Sequence, residues 1–386
     1  MKALMSPALF ASVAVLVSSG SSYALTTSSA NVTCSSTTKL QTKIDAVAAG
    51  TVATFNVSGT CSENIVVPRG KTIILVGTGT TPTISAANTS LPAITSNGDT
   101  TIQKLNVTNT TGTGASNTTL VVASKEGYLE IVSSDLLGTG VEAVAEAAAG
   151  VISIINSRIV GGTYDAVDVW GGGSAFIAGD PSSPLGPTGK YETYIKSTNH
   201  IGISCAQGSV LNVRAKASGT QQGSVTIEQS STGIGTHLCQ FTVWNPTYAK
   251  SNIQIRNNTV GIAAAKSDGS LSYVSLLNNS SDAISLDKST FDISNSDVTG
   301  NGGIGLGAYQ SQVSVNAVVF SNTAGDIDAG AASSIEITKN GTSFPKALSW
   351  TNSFNCSRGG RIDIDPGAVV QQLGTQYSSK SCVYSY

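Results

Sequence analysis

Two carboxylates and an aromatic ring lie close together in the stretch GGTYDAVDVWGGGSAF, which runs from Gly161 to Phe176. Asp165 and Asp168 are three positions apart, and Trp170 follows two positions later. A pair of carboxylates at a fixed separation can act as acid and base in glycoside hydrolysis, and clustered carboxylates can hold Ca²⁺. Because positions three apart in an alternating strand point to opposite faces, we expect the two aspartates to pair poorly unless Asp165 lies in a turn.

The segment that follows, from Gly179 to Gly202, contains three prolines and lacks a regular alternation of apolar and polar residues. It therefore predicts a loop at 179–202 that projects from the regular structure around it. Inserted loops often carry binding residues, and aromatic rings beside polar groups suit sugar rings, although the same rings can simply pack the loop against its support. The candidate ligand-binding residues are Asp165, Asp168, Trp170, Lys190, Tyr191 and Tyr194.

The sequence assigns no catalytic residue. His237 precedes Cys239 by two positions and has neither a carboxylate nor a nucleophile close to it in sequence, which favours a structural histidine. Alternating carboxylates in DIDAG (326–330) and RIDIDPG (361–367), which we expect on one face of each strand, are alternative ligands for Ca²⁺. Charged residues on solvated strand faces are far more common than metal sites, so we predict neither a metal site nor a cofactor.

The composition argues against a nucleic-acid partner, because only 11% of residues are charged and the formal net charge is −2. Nucleic-acid binding usually needs a basic patch. Lys2 precedes an apolar run from Ala8 to Val17, and Ser22-Tyr23-Ala24 has the pattern of a cleavage site. These features predict a signal peptide at 1–24 and a secreted protein, whether extracellular, periplasmic or held at the cell surface. No later stretch is apolar over the ~20 residues that a transmembrane helix needs.

Six cysteines fall into three couples that are local in sequence. An even number behind a signal peptide indicates disulfides formed outside the cytoplasm. A metal site is the weaker alternative, because the chain has no C-x-x-C motif and only two histidines. The predicted bridges are Cys34–Cys61, Cys205–Cys239 and Cys356–Cys382.

Turn asparagines, and the isoleucines that follow them, recur in step through the C-terminal third of the chain. Between them lie short segments in which apolar and polar residues alternate, the pattern of short half-buried strands. Such strands with a period of about 22 residues fit the coils of a parallel β-helix, about 12 to 13 in all, with the asparagine amides bonded to one another. The markers are Asn258, Asn279, Asn301 and Asn322, with Ile262, Ile284, Ile304 and Ile327.

Both ends of such a solenoid need a cover, because an open coil exposes unpaired strand edges and core. The segment STTKLQTKIDAVAAG places Leu40, Ile44 and Val47 on one face of an amphipathic helix. We therefore predict an N-terminal cap at 25–62 that contains this capping helix, a β-helix at 63–345 and a C-terminal cap at 346–386.

The block from Cys34 to Gly79 resembles the N-terminal region of secreted right-handed β-helix proteins of the pectate-lyase-like superfamily. In those proteins a capping helix leads into a V-S-G-T-C-x-E-N-I-x-V-P step, which stands here as Val57–Cys61 and Glu63–Pro68. The resemblance implies an all-β fold, a single-stranded right-handed parallel β-helix. It leaves the activity open, because this fold hosts lyases, hydrolases, esterases and adhesins.

The polygalacturonase-like members of that superfamily carry an Asn-Thr-Asp step, an Asp-Asp pair, a Gly-His-Gly and an Arg-Ile-Lys, and none of the four is present here. We therefore expect a secreted or cell-surface protein that binds a polysaccharide, a cell-surface glycan or a partner along its side without catalysing a reaction. A polysaccharide lyase or glycoside hydrolase acting on an acidic polysaccharide is one alternative, and a structural or adhesive rod is another. Whether the protein is an enzyme and how many copies assemble stay open.

Overall fold

The computed structural model describes residues 26–35, 38–109, 118–246, 248–338, 354–365 and 382–385. The predicted signal peptide at 1–24 lies outside the described residues, as does most of the predicted C-terminal cap at 346–386. The described chain forms a solenoid of about 13 coils with very little helix. Each regular coil passes through three parallel sheets in turn, and the apolar residues of all three face a common core.

The first sheet has 15 strands and extends along the described solenoid from end to end. Its strands are β1 (Thr26–Thr33), β2 (Thr51–Ser58), β5 (Thr72–Gly77), β8 (Asp99–Gln103), β11 (Tyr128–Val132), β14 (Val151–Ile155), β17 (Ser174–Gly179), β20 (Val210–Ala215), β25 (Gln240–Trp244), β28 (Asp268–Ser272), β31 (Thr290–Ser294), β34 (Gln312–Asn316), β37 (Ser334–Ile337), β39 (Arg361–Ile364) and β40 (Val383–Ser385).

The second sheet has 12 strands and carries the residues discussed below as a site. Its strands are β4 (Ile65–Val67), β7 (Ile94–Ser96), β10 (Val121–Ser124), β13 (Ala143–Ala148), β16 (Asp165–Trp170), β19 (Ile201–Ala206), β24 (Thr232–His237), β27 (Val260–Ala265), β30 (Ile284–Asp287), β33 (Ile304–Tyr309), β36 (Gly325–Gly330) and β38 (Phe354–Cys356).

The third sheet has 11 strands. They are β3 (Thr60–Ser62), β6 (Thr83–Ala86), β9 (Asn106–Asn109), β12 (Asp135–Gly138), β15 (Arg158–Gly161), β18 (Glu192–Ser197), β23 (Ser224–Glu228), β26 (Ile253–Arg256), β29 (Ser275–Leu277), β32 (Asp297–Thr299) and β35 (Val319–Ser321). Outside the three sheets lie a small antiparallel hairpin of β21 (Ala217–Ser218) and β22 (Gln221–Gln222), and a 3-10 turn at Lys250–Asn252.

The 22-residue period applies to only part of the solenoid. Asp268, Thr290, Gln312 and Ser334 lie above one another in the first sheet, each 22 positions after the last. Upstream coils are more variable: Ser174 pairs with Val210, 36 positions later. The coil can lengthen there because its extra residues leave the sheets as loops and do not disturb the strand ladders.

One of the four predicted isoleucine markers does not stack. Ile262 pairs with Ile284, but the next partner is Leu306, which then pairs with Ile327. Ile304 pairs with Gly325 instead, because β33 begins two residues earlier in the ladder than β30 does.

The asparagine ladder is confirmed in the turns between the third and second sheets. Asn258, Asn279, Asn301 and Asn322 are each at most 2% exposed. The Nδ2 of each of the first three donates to the Oδ1 of the next, at 3.2, 2.8 and 2.7 Å. At the end of the ladder Asp326 takes the place of another amide, and its Oδ1 accepts from the backbone N and the Nδ2 of Asn322.

A second buried ladder, built from serines, has no counterpart among the sequence predictions. The backbone N of Ser267, Ser289 and Ser311 donates to the Oγ of the serine one coil further along, at 3.1 to 3.2 Å. It lies in the turns between the second and first sheets and ends at Ser333. Both ladders satisfy backbone groups that are buried at the corners of the coils.

The three predicted disulfides are all present. The Cα atoms of Cys34 and Cys61, Cys205 and Cys239, and Cys356 and Cys382 are 4.9, 5.9 and 6.3 Å apart. The helix predicted near the first bridge is α1 (Leu40–Asp45), which buries Leu40 and Ile44. Glu63 holds its N-terminus, because its two carboxylate oxygens accept from the backbone N of Leu40 and Gln41. In the described part of the chain, α1 and the other helical turn are far too short to cross a bilayer.

Candidate functional site

The strand β16 contains a bend that brings its two aspartates to the same face. Ala166 and Val167 are consecutive and both fully buried, whereas Asp165 and Asp168 on either side are partly exposed. Two successive inward residues shift the alternation by one position, so residues three apart share the outer face. The expectation that Asp165 and Asp168 point to opposite faces was therefore wrong, because β16 does not alternate strictly at its start.

Asp168 lies among other carboxylates on the outer face of the second sheet. Glu146 is its direct neighbour across the strand ladder, and Glu142 lies just before β13. Burial, followed by the negative charges of Glu146 and Glu142, raises the pKa of Asp168 to about 6. Hydrogen bonds from the Ser204 hydroxyl and the Val169 backbone act in the opposite direction.

Asp165 is the most strongly perturbed of these acids. Burial, with the charges of Asp168 and Glu142, raises its pKa to about 7. Its Oδ1 is buried and has no hydrogen-bond partner, and the Nδ1 of His200 lies 3.9 Å from it. The His200 ring in turn meets the edge of Tyr164, with ring centroids 6.0 Å apart. With this pKa, the carboxyl group of Asp165 is partly protonated around neutral pH.

Trp170 lies next to the acidic cluster formed by Glu142, Glu146, Asp165 and Asp168. Its Nε1 donates to Oε1 of Glu146 at 2.7 Å, and the residue is 41% exposed. The Thr119 hydroxyl donates to the other oxygen of Glu146. The indole is thus fixed by its polar edge while the ring stays accessible to a ligand, an arrangement suited to stacking against an apolar surface.

A row of small residues continues from Asp168 along the outer face of the second sheet. The residues occupying successive rungs after Asp168 are Ser204, Gly235, Ala263, Ser285 and Gly307, and the next rung is Asp328. At ~4.8 Å per rung, the six steps from Asp168 to Asp328 span roughly 29 Å. The middle of this row is the floor of a groove of about 380 Å³, bounded by Ile201, His237 and Asp287.

The far end of the groove repeats the features of the near end. Tyr309 is 43% exposed and stands one rung beyond Asp287. The next rung of the floor is Asp328, whose pKa is raised by burial and by the charge of Asp282, with a hydrogen bond from Asn355 acting in the opposite direction. An aromatic ring and a carboxylate therefore close the row of small residues at both ends.

Comparison with known proteins gives one likeness in structure. The chain matches no protein-family model and no curated protein sequence. Among solved structures it is similar to the full-length tailspike protein 2 of the Escherichia coli O157:H7 bacteriophage CAB120, with 10% sequence identity and a TM-score of 0.41. The match covers 84% of this chain and 40% of the tailspike chain, so this chain spans less than half the length of that protein.

The parallel ladders decide the architecture. This chain is a parallel β-helix repeat protein. The three faces of the β-helix correspond to its three sheets, and the candidate site occupies one of them. The exposed rings of Trp170 and Tyr309 and the acids of that face come from strands of different coils, so the stacking of the coils sets their spacing.

The structure places the predicted ligand-binding residues at three locations. Asp165, Asp168 and Trp170 lie together on the second sheet. Tyr194 lies on the third sheet, where its hydroxyl donates to Glu228 at 3.1 Å; burial and the charge of Glu228 raise its pKa to about 12. Lys190 is exposed in the connection between the first and third sheets, next to Tyr191.

The predicted loop at 179–202 is shorter in the structure. Residues 180–191 leave the sheets, but Glu192–Ser197 is the regular strand β18, paired with β15 and β23. Its alternation is masked in the sequence because two of its three buried residues, Thr193 and Ser197, are themselves polar.

The carboxylates proposed as alternative Ca²⁺ ligands do not form a common cluster. Asp326 is fully buried at the bend position of β36 and ends the asparagine ladder, whereas Asp328 faces outward. Asp363 pairs with Arg361 at 2.7 Å. The expectation that the DIDAG carboxylates share a face was therefore wrong, for the same reason as in β16.

Within the described residues, one group of three ligating side chains brings its atoms within 4.8 Å of one another, namely Cys34, Cys61 and Glu63. Its thiols form a disulfide, and its carboxylate holds the N-terminus of α1. The carboxylates of the acidic cluster at β16 are not among the described side chains brought this close together.

Sequence reasoning missed Glu142, Glu146 and Tyr309 as parts of the site, and it considered Asp328 only as an alternative ligand for Ca²⁺. Glu146 and Asp168 are 22 positions apart, one coil of the period that the C-terminal asparagines mark. Extending that period upstream would have placed Glu146 beside Asp168. For Tyr309 and Asp328 the sequence holds no such signal, because they are recognised only by the groove that ends at them.

Proposed function

We propose that this protein binds an extended, uncharged glycan along the outer face of the second sheet, outside the cytoplasm. The observation that carries the proposal is the groove itself: a floor of small residues, with Trp170 and Asp168 at one end and Tyr309 and Asp328 at the other. Sugar rings stack on exposed aromatic faces, and carboxylates accept hydrogen bonds from hydroxyl groups. Three disulfides and a predicted signal peptide support the compartment.

The charge of this face favours a neutral ligand over an acidic one. Glu142, Glu146, Asp165 and Asp168 lie together, and among the described residues the only basic group within 4.0 Å of any of them is His200. An anionic polysaccharide laid along the groove meets like charge that no arginine or lysine offsets. Asp165 and Asp168, with pKa values near 7 and 6, can also donate hydrogen bonds when protonated.

A second function, hydrolysis of the bound glycan, is favoured by the pair of aspartates. A general acid needs a pKa near the working pH, and burial raises the pKa of Asp165 to about 7. Asp168, with its lower pKa of about 6, then supplies the ionised partner. Three residues of strand, at ~3.3 Å each, place the Cα atoms of the two aspartates at most about 10 Å apart, within reach of the separations used by glycosidases.

The test is a binding screen against neutral polysaccharides, followed by titration calorimetry on the best ligand. Trp170→Ala should weaken binding by about tenfold or more, since stacking and its polar anchor are both lost. Tyr191→Ala, in the loop at 180–191, is the matched control and should bind like the parent. Weakening by Tyr191→Ala alone assigns binding to the loop and contradicts the proposal. New reducing ends that the parent produces and an Asp165 variant does not would show that the protein hydrolyses the bound glycan. If the protein binds no glycan, the proposal is wrong and the structural rod is the remaining function.

A further inference from the structure

The outer face of the first sheet carries a stacked arginine. Arg214 in β20 pairs directly with Trp244 in β25, and Phe176 lies diagonally across on β17. The Cζ of Arg214 is 5.4 Å from the centroid of the Trp244 ring and 5.9 Å from that of Phe176. The guanidinium is therefore flanked by two aromatic rings, which hold it on the sheet surface and leave its donors for another partner.

The positive charge of Arg214 is unmatched in the described structure. Among the described residues no carboxylate lies within 4.0 Å of its guanidinium, and its Nε is buried without a hydrogen-bond partner. The neighbouring Lys216 differs, because its Nζ lies 2.6 Å from Oδ2 of Asp180. Partial burial of a cation without a neighbouring anion raises the free energy of the protein, so an anionic ligand should bind favourably at this position.

Exposed aromatic residues continue into the connection that follows β25. Trp244 is 38% exposed, and Tyr248, in the loop that follows it, is 68% exposed. Tyr248 meets the ring of Tyr273 edge to face, with centroids 4.9 Å apart. A sugar ring can stack on such faces while a carboxylate on the same ring bonds to the planar fork of an arginine.

We propose that the outer face of the first sheet holds a second glycan site, at which Arg214 binds the anionic group of an acidic sugar and Trp244 stacks on its ring. The site differs from the neutral groove in face, charge and ligand, and it does not rest on the function proposed for the second sheet. The recognising chemistry is a carboxylate or sulfate on a sugar ring. Carboxylate fits the two-pronged guanidinium best, because both are planar.

The experiment measures binding of short oligomannuronates to the full chain by titration calorimetry at low ionic strength, where charge pairing is least screened. Arg214→Gln and Trp244→Ala should each weaken binding by about tenfold or more, the loss expected for one charge-assisted hydrogen bond or one stacked ring. Arg214→Lys keeps the charge but loses the planar fork, so its affinity should lie between those of the parent and Arg214→Gln. Thermal unfolding of each variant verifies the fold.

Lys196→Gln is the matched control, because it removes one positive charge from the third sheet, where Lys196 bonds to Gln229. It should bind oligomannuronate within about twofold of the parent. Equal losses in Lys196→Gln and Arg214→Gln indicate a diffuse charge effect and overturn the site. The proposal is also overturned if the parent protein binds neither oligomannuronate nor dextran sulfate.

Dextran sulfate and polyglutamate distinguish the sources of the anion. Stronger binding of dextran sulfate that is still lost in Arg214→Gln supports the site, with sulfate as its anion. Stronger binding of polyglutamate than of either glycan overturns the assignment to a sugar. Because neutral polysaccharides probe the second sheet and oligomannuronates the first, failure of one proposal leaves the other measurable.

Discussion

Asp165 and Asp168 are three positions apart in β16 and share one face of the sheet, because Ala166 and Val167 between them both turn into the core. That bend turns two ordinary strand residues into a pair of interacting acids. Each aspartate contributes to a surface that is partly desolvated, and the charge of Asp168 raises the pKa of Asp165. The properties of the candidate site follow from this local irregularity together with the stacking of coils.

Asp165→Asn should flatten the dependence of stability on pH. The folded-state pKa of Asp165 is about 7 and lies above the unfolded value near 3.9, so between these values the folded state binds more protons than the unfolded state. The free energy of unfolding therefore falls as pH rises from about 4 to 7. Removing this group should reduce that fall by on the order of 2–4 kcal/mol, measured by urea unfolding at several pH values.

Asp292→Asn removes a carboxylate from an exposed position of β31 and serves as the control. It should leave the fall between pH 4 and 7 as steep as in the parent. A fall that is equally steep in Asp165→Asn and the parent contradicts the account of the acidic cluster.

Glu146→Gln should lower the pKa of Asp168, because it removes one of the charges that raise it while keeping an oxygen to accept from the Trp170 indole. The pKa of Asp165 should respond less, since its charged neighbours are Asp168 and Glu142. Glu142→Gln should instead lower both. NMR titration of the carboxyl groups measures the pKa values of Asp165 and Asp168 in each of the two variants. Identical effects of the two substitutions on the pKa of Asp165 would be inconsistent with this arrangement.

Asn301→Ala should destabilise the fold by roughly 1–3 kcal/mol, because it orphans buried partners in the ladder. In the parent, Asn279 donates to its Oδ1, and its own Nδ2 donates to Asn322. Urea unfolding gives the change in free energy. Asn199→Ala, at an exposed position, is the control and should shift the midpoint very little; equal midpoints for the two variants would argue against the ladder.

Replacing Cys205 and Cys239 together by Ala should cost about 3–4 kcal/mol, the chain-entropy value for a bridge spanning 34 residues. The two cysteines connect neighbouring coils beneath the groove. Urea unfolding of the double variant against the parent gives the difference. A parent that loses no stability under reducing conditions would contradict the assigned role of the bridge.

The sequence was sufficient for the architecture where residues repeat. Asn258 to Asn322 mark the turns because each amide must satisfy a buried backbone group one coil away, and that demand recurs at every coil. The disulfides could be predicted because coil stacking brings residues about one coil apart into contact. The prediction that Ile304 stacks on the other isoleucines was wrong, because an isoleucine at the start of a strand cannot be told from one in the core until the strand register is known.

The site was harder to foresee for a physical reason. Strict alternation predicts opposite faces for Asp165 and Asp168, whereas two consecutive buried residues interrupt the alternation near the start of β16, as they also do in β19, β24 and β33. Lys190 and Tyr191 were chosen for their types, but their loop leaves the β-helix on another side. Tyr309 and Asp328 matter through the concave row between them, and that row is a property of several coils together.

The most direct measurement fills the groove and asks whether binding is lost. A Cβ added at Gly307 meets nothing closer than 3.8 Å, so Gly307→Leu should fold and project from the row of small residues, one rung beyond Ser285 at the end of the groove. Ser314→Leu, an outward position of the first sheet, is the matched control. With the neutral glycan that binds the parent best, calorimetry should show binding lost in Gly307→Leu and retained in Ser314→Leu. Equal affinity in both variants would contradict the assignment of this groove as the glycan site.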